Sequence, residues 1–192
     1  MSGAPNIDPA LQLSLRMALA LLFLISLRHK LRDFAAFRTS LAGYRILPSG
    51  CVTACAVGFM LAEACLAAAL LAPGLGVASA LGATALLGVY SAAIGINLLR
   101  GRREIDCGCR APGAGEGLSE ALLVRNALLI LVALQGALPA GGRGFHWLDG
   151  FTAVGGAICL ALLYTAVDSS LANGLRLRRS RRSRREEAWL TH

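Results

Sequence analysis

Charge in this chain is segregated, and that restricts what it can fold into. Residues 11–27, 51–72, 75–99, 118–138 and 148–172 contain few ionisable groups, and nearly all the arginines lie between or after them. Each stretch is about the 17–25 residues that a helix needs to cross a hydrocarbon core of roughly 30 Å. Helices satisfy their own backbone polar groups in lipid, so five transmembrane helices are expected. Composition agrees: 16% of the 192 residues are charged and 56% are apolar, where soluble domains carry about 25% charged residues. The links at Pro73-Gly74 and from Pro139 to Trp147 are short and rich in helix breakers, leaving no room for a soluble domain. The expected fold is an all-α integral membrane protein. A bundle of four to five transmembrane helices fills residues 1–172, and a basic tail fills 173–192.

Orientation follows from the basic residues. Residues 1–10 carry no positive charge, and Arg28, His29 and Lys30 follow the first apolar run, an order that fits an uncleaved anchor better than a signal peptide. Sixteen Lys and Arg residues fall on one side of the expected spans, in 28–50, 100–117 and beyond 173; Arg143 stands alone on the other. The positive-inside rule places the sixteen in the cytoplasm, with the amino terminus outside and the carboxyl terminus inside. Seven arginines between Arg176 and Arg185 would hold the tail inside and bind anionic membrane lipids. Nucleic-acid binding, the other reading of such a run, is set aside.

Residues 28–47 read as an amphipathic helix at the membrane interface. Leu31, Phe34, Phe37, Leu41 and Tyr44 recur at three- and four-residue spacing, with Arg32, Asp33, Arg38 and Arg45 between them. Pro48 ends the helix. In the second span Cys51, Cys55, Gly58, Ala62 and Cys65 share one helix face. Small residues let membrane helices approach closely, so this stripe, the glycines and alanines of the third span, and Cys159 of the fifth are expected to pack against neighbouring helices.

Ionisable groups inside a membrane are expensive and are candidates for function. Arg16 lies in the first span and Glu63 near the middle of the second, at depths where the two could pair. The alternative for Glu63 is a proton or ligand site. Arg125, with Asn126, enters the fourth span; its guanidinium could favour a nearby thiolate or pair with Asp168 of the fifth span.

Cys107-Gly108-Cys109 closes the set. A disulfide between thiols one residue apart makes a small strained ring, and strained disulfides are the labile or catalytic ones. Cys51 and Cys55 lie toward the same face of the membrane and are candidate resolving thiols. These four are the candidate catalytic residues. A four-thiolate zinc site is the rival by ligand number, although the spacing matches no standard metal pattern; unreactive thiols are the other alternative. The charge count places Cys107 and Cys109 near the reducing cytoplasmic side, which argues against a stable structural disulfide.

Two segments together carry a family resemblance. Lys30-Leu31-Arg32-Asp33 followed by Phe37, Leu41, Tyr44-Arg45 and Pro48, and then Ile105-Asp106-Cys107-Gly108-Cys109 followed by Arg125-Asn126, resemble two signatures of the methylamine-utilisation MauE family. The likeness covers about residues 12–170. Here Cys109 is followed by Arg110-Ala111-Pro112-Gly113 rather than the Phe-Gly frequent in the family. The resemblance implies a DoxX-like helical bundle in the bacterial inner membrane, for which the charge count makes the amino terminus periplasmic. It implies a role in maturing the disulfide-rich small subunit of methylamine dehydrogenase, or another exported client, alongside a thioredoxin-like periplasmic partner. Thiol–disulfide transfer would be the chemistry. The rival implications are a non-enzymatic assembly or transport partner with passive thiols, and a DoxX-like subunit of a quinone-linked complex; no cofactor is expected except a bound quinone on that last reading.

Overall fold

A computed structural model describes residues 7–103, 105, 117–138, 141, 144 and 146–190, and the side chains of these except at 168 and 171–190. Six α-helices account for most of them: α1 (Pro9–Arg32), α2 (Phe34–Gly43), α3 (Val52–Leu71), α4 (Gly76–Leu99), α5 (Glu120–Gln135) and α6 (Trp147–Leu190), with a 3₁₀ turn at Ser49–Cys51. Four segments are long and apolar enough to cross a membrane: Pro9–Arg32, Ser49–Leu71, Gly76–Leu99 and Trp147–Val167. The chain is an all-α, multi-pass membrane protein.

The helix ends have local causes. The Asp8 side chain accepts a hydrogen bond from Ala10 N (2.9 Å) and Pro9 opens α1, a good N-cap pairing. Asp33 both stops α1 and starts α2, since its Oδ1 accepts from Ala36 N at 2.9 Å. Gly74 turns the chain between α3 and α4 at φ 83°, a backbone conformation that favours glycine. At the end of α2, Arg102 donates to Gly43 O (3.4 Å) and Arg100 to Arg45 O (3.5 Å), placing cations at a helix C-terminus.

The Asp33 joint corrects the expected amphipathic segment. The interfacial helix is α2 alone, and residues 28–32 continue α1. Phe37 and Tyr44 turn inward as expected, but Leu31 sits before the break and is 63% exposed. The fourth expected span, 118–138, also differs. α5 has only 16 residues, about 24 Å of helix. It still runs the length of the bundle beside α4. Glu120 at one end pairs with Arg103 (2.6 Å), and Gly136 at the other packs near Arg16 and Ala80.

In the centre, Leu19, Ala20 and Phe23 of α1 pack with Ala67 and Leu70 of α3, Ala83, Leu86 and Leu87 of α4, and Ala133 of α5. α6 lies along α1, burying Ala153, Ala157 and Ala161. A Cβ on Gly156 would come within 2.9 Å of Ser14 Oγ, and one on Gly82 within 2.6 Å of the Leu66 side chain, so both glycines permit close helix approach. The outer surface displays Leu61, Leu81, Val89, Leu128, Phe151 and Leu162, a lipid-facing pattern that a water-soluble monomer would avoid.

The small-residue faces only partly do what was expected of them. Gly82 packs, but nothing lies within 4 Å of a Cβ built on Gly58, Gly88 or Gly95. Cys65 and Cys159 are exposed rather than buried between helices. The cysteine-bearing stripe of α3 faces out because Glu63 and Ala67 take the inward face of that helix.

Arg16 staples the end of the bundle where α1 begins. It donates to O of Ala72, the C-cap residue of α3, at 2.8 Å. Gln12 Nε2 donates to Gly136 O (3.2 Å) and Leu138 O (2.8 Å), just past the end of α5. Orphan carbonyls at two helix C-termini are thus satisfied by α1 side chains. Arg16→Ala should lower unfolding stability in detergent by about 1.5–3 kcal/mol, the worth of a hydrogen bond to a charged group, and Arg16→Lys by less. Thermal unfolding followed by helical circular dichroism measures both.

Candidate functional site

Lys30 is the residue around which the site is built. The sequence reading counts it among the flanking basic charges, but continuation of α1 to Arg32 carries it inside, where it is 2% exposed. Its Nζ lies 2.5 Å from Glu63 Oε1, and both side chains are buried. The same carboxylate oxygen accepts from Ser26 Oγ at 3.0 Å and from the Tyr90 hydroxyl at 2.9 Å. Lys30 also donates to Tyr90 Oη at 3.2 Å. Its ammonium stands 4.9 Å from the Phe37 ring centre and 5.0 Å from that of Tyr90, within cation–π range. α1, α3 and α4 meet at one oxygen.

This overturns the Arg16–Glu63 pair. Arg16 and Lys30 are separated by about 21 Å of helix. In the antiparallel register of α1 and α3, Arg16 stands level with Ala72, while Ser26 and Lys30 stand level with Glu63. Sequence reasoning missed Ser26, Lys30 and Tyr90. One signal was present: Leu19, Phe23, Ser26 and Lys30 recur at spacings of four, three and four, on one face of a helix.

The polar junction separates two cavities. One, about 150 Å³, is lined by Lys30 and Tyr90 and by apolar residues including Phe37, Leu41, Tyr44 and Ile94. The other, about 210 Å³, is a mixed chamber with Ser26, Glu63, Tyr90, Arg125, Asn126 and Tyr164 among its lining residues. Arg125 and Asn126 are both buried, and the Arg125 guanidinium lies 5.9 Å from the Tyr164 ring centre. Glu63 Oε2 and Asn126 Nδ2, on two of its lining residues, are buried without a hydrogen-bond partner among the described residues.

No disulfide joins the four described thiols. Cys51 is exposed, Cys55 is half-buried, and both are free at the end of the bundle opposite Arg16. Cys107 and Cys109 lie outside the described residues, as does the side chain of Asp168. Ile105, two residues before Cys107, packs against the buried cluster of Tyr44, Ile94 and Leu118, also at the end opposite Arg16. Arg125 is placed on the chamber wall.

Residues 8–139 match the sequence model of the family described as Methylamine utilisation protein MauE. The chain belongs to the MauE family. It is 35% identical over 175 residues to the Methylamine utilization protein MauE of Paracoccus denitrificans, covering 88% of this chain and 90% of that one. It is 38% identical over 139 residues to the protein of the same name from Paracoccus versutus, covering 71% and 75%. With that of Methylophilus methylotrophus it shares 33% over 163 residues, covering 84% and 86%. No solved structure matches the chain.

The first of the two segments that carry the resemblance acquires a physical reading here. Lys30 supplies the buried cation, Asp33 the joint between α1 and α2, Phe37 and Tyr44 the buried face of α2, and Pro48 the residue before the turn into α3. Removing one partner of a buried ion pair strands the other charge, at a cost of about 3–5 kcal/mol, whereas replacing both is far milder. Lys30→Met alone should therefore destabilise the protein strongly, and Lys30→Met with Glu63→Leu should recover most of the loss. A double-mutant cycle by thermal unfolding decides the point: simple additivity of the two losses rules the pairing out.

Proposed function

We propose that this MauE-family protein is an inner-membrane accessory factor in methylamine utilisation, acting in maturation of the small subunit of methylamine dehydrogenase by thiol–disulfide transfer. Cys107 and Cys109 are the exchanging pair, and Cys51 and Cys55 the resolving thiols. The observation that supports the reading is the position of Cys51, Cys55 and Ile105 in the fold. The exposed Cys51 and half-buried Cys55 begin α3 at the end of the bundle where Ile105, leading into Cys107, is anchored.

In such an exchange a thiolate attacks a disulfide sulfur and forms a mixed disulfide. The second thiol of the attacking pair then resolves it, so that one pair is oxidised as the other is reduced by two electrons. A thioredoxin-like periplasmic protein is the partner that would carry the dithiol to or from the exported client; because the charge count puts Cys107 and Cys109 toward the cytoplasm, the role requires reducing equivalents to pass through the bundle between that pair and the periplasmic partner. The positive-inside count supports a periplasmic amino terminus and a cytoplasmic carboxyl terminus, with the basic tail against anionic lipid.

Replacing both Cys107 and Cys109 with Ser should block maturation of the dehydrogenase small subunit in cells while leaving the level of the membrane protein unchanged. Normal maturation in that variant would falsify the assignment. Sidedness has its own test: in a background with the other four cysteines changed to Ser, a membrane-impermeant maleimide should label Cys107 and Cys109 in opened cells but not in intact ones. Labelling of intact cells would place the pair on the outer face and reverse the orientation.

A further inference from the structure

The smaller cavity, about 150 Å³, lies between α2 and α4, with Leu41 of α2, Phe59 of α3, and Val89 and Ala93 of α4 among its walls. Lys30 and Tyr90 also line it, but their polar atoms already meet at Glu63. Most of what remains is apolar surface. Two of the lining residues, Ile46 and Val89, are 41% and 51% exposed, so the cavity opens onto the surroundings of the bundle. Beside a spanning helix those surroundings are lipid.

The turn after α2 forms part of the same wall. Tyr44, Ile46 and Leu47 line the cavity, and Arg45 stands among them. Arg100 donates to Arg45 O at 3.5 Å and Arg102 to Gly43 O at 3.4 Å, so three arginines meet at this turn. Neither of the two ion pairs among the described residues includes any of them. Each carbonyl contact engages one donor of a guanidinium that carries several. Arg45 holds φ 48°, a conformation that glycine or asparagine takes at lower cost; a cation stands there instead. Like charges gathered in this way repel, and an anion between them relieves the repulsion. The planar donor fork of arginine suits phosphate oxygens.

Length connects the two features. From Arg100 back to Val89, α4 runs about 16 Å, roughly half of a hydrocarbon core of about 30 Å. A phosphate held at the arginines therefore puts an acyl chain alongside the cavity. A space of roughly 150 Å³ admits benzene, so it takes about six carbons of such a chain. Free phosphate would leave the apolar space unfilled, and an uncharged lipid would leave the arginines unmet.

We propose that the cavity between α2 and α4 and the arginines at its rim form a binding site for one anionic glycerophospholipid, with its phosphate at Arg45, Arg100 and Arg102 and one acyl chain against Leu41, Phe59 and Ala93. The lipid comes from the leaflet at the end of the bundle opposite Arg16. This site is separate from the basic tail.

Native mass spectrometry of the full chain, released from detergent, counts the lipids bound and gives the affinity of the first. The seven arginines between Arg176 and Arg185 are changed to Gln so that the tail contributes nothing. Phosphatidylglycerol should bind at one site at least about tenfold more tightly than phosphatidylcholine with the same acyl chains. Arg45→Gln, which leaves both carbonyl contacts in place, should weaken phosphatidylglycerol by about fivefold. Adding Arg100→Gln and Arg102→Gln should remove the preference and leave phosphatidylcholine unchanged. Ala93→Phe should fill the cavity and weaken phosphatidylglycerol by about tenfold with all three arginines present. Glycerol 3-phosphate, a head group without chains, should not displace the lipid even in large excess. The proposal is overturned if the two lipids bind alike or if the triple variant keeps the preference. It is equally overturned if Ala93→Phe leaves the affinity unchanged, which would mean that no chain enters the cavity, or if glycerol 3-phosphate displaces the lipid, which would make this a site for free phosphate.

Discussion

A buried lysine and a buried glutamate hold this bundle in register. In lipid there is no hydrophobic force drawing one apolar helix to another, so helix pairs are specified by close packing and by polar contacts. Lys30 on α1 and Glu63 on α3 supply the strongest such contact, and Tyr90 extends it to α4. A slide of one helical turn, about 5.4 Å, would leave two charges buried without partners. Arg16 and Gln12 act at the other end of α1, tying the C-termini of α3 and α5 to it. α1 is thus clamped at both ends by polar side chains, and the apolar face between them, Leu19, Ala20 and Phe23, is aligned with the core by those clamps.

The same arrangement explains why the cysteine stripe of α3 points outward. A helix has one face toward α1, and on α3 Glu63, Ala67 and Leu70 occupy it. Cys51, Gly58 and Cys65 lie on another part of the helix and are left exposed. The polar interior and the thiols of α3 and its leading turn are consequently separate parts of the molecule, and they can be altered independently.

The membrane class and the positions of most spans were legible because they depend on local composition alone: an apolar run of sufficient length has few other solutions. The partners of the buried charges were not legible, because they depend on register. Whether Glu63 meets Arg16 or Lys30 is decided by how far α1 continues past its apolar run and by where α3 begins to oppose it. The stop is Asp33, which looks in sequence like one more charge on an amphipathic face. Arg16 illustrates the second difficulty. A guanidinium in a membrane suggests a carboxylate partner, yet the partial negative charge at a helix C-terminus serves as well, and Ala72 O provides it. Arg125 and Asn126 were recognised as unusual from their position in an apolar helix, but the chamber they line draws on residues scattered from Leu19 to Ser169, and no local pattern announces it.

Stability alone does not account for the polar interior. A buried ion pair returns little net free energy compared with a well-packed apolar pair of the same volume, and each ionisable group inside a membrane adds to the cost. If holding α1 against α3 were its whole role, both oxygens of Glu63 would be expected to have partners, as buried polar groups in folded proteins generally do. Instead Oε1 accepts from Ser26, Lys30 and Tyr90, while Oε2, like the amide nitrogen of Asn126, has no partner among the described residues. α5, the shortest of the helices that run the length of the bundle, carries two adjacent buried polar residues where leucines would pack at lower cost. Polar groups retained at a cost, on different helices, around one shared space, are better explained by what that space accommodates than by the fold it interrupts.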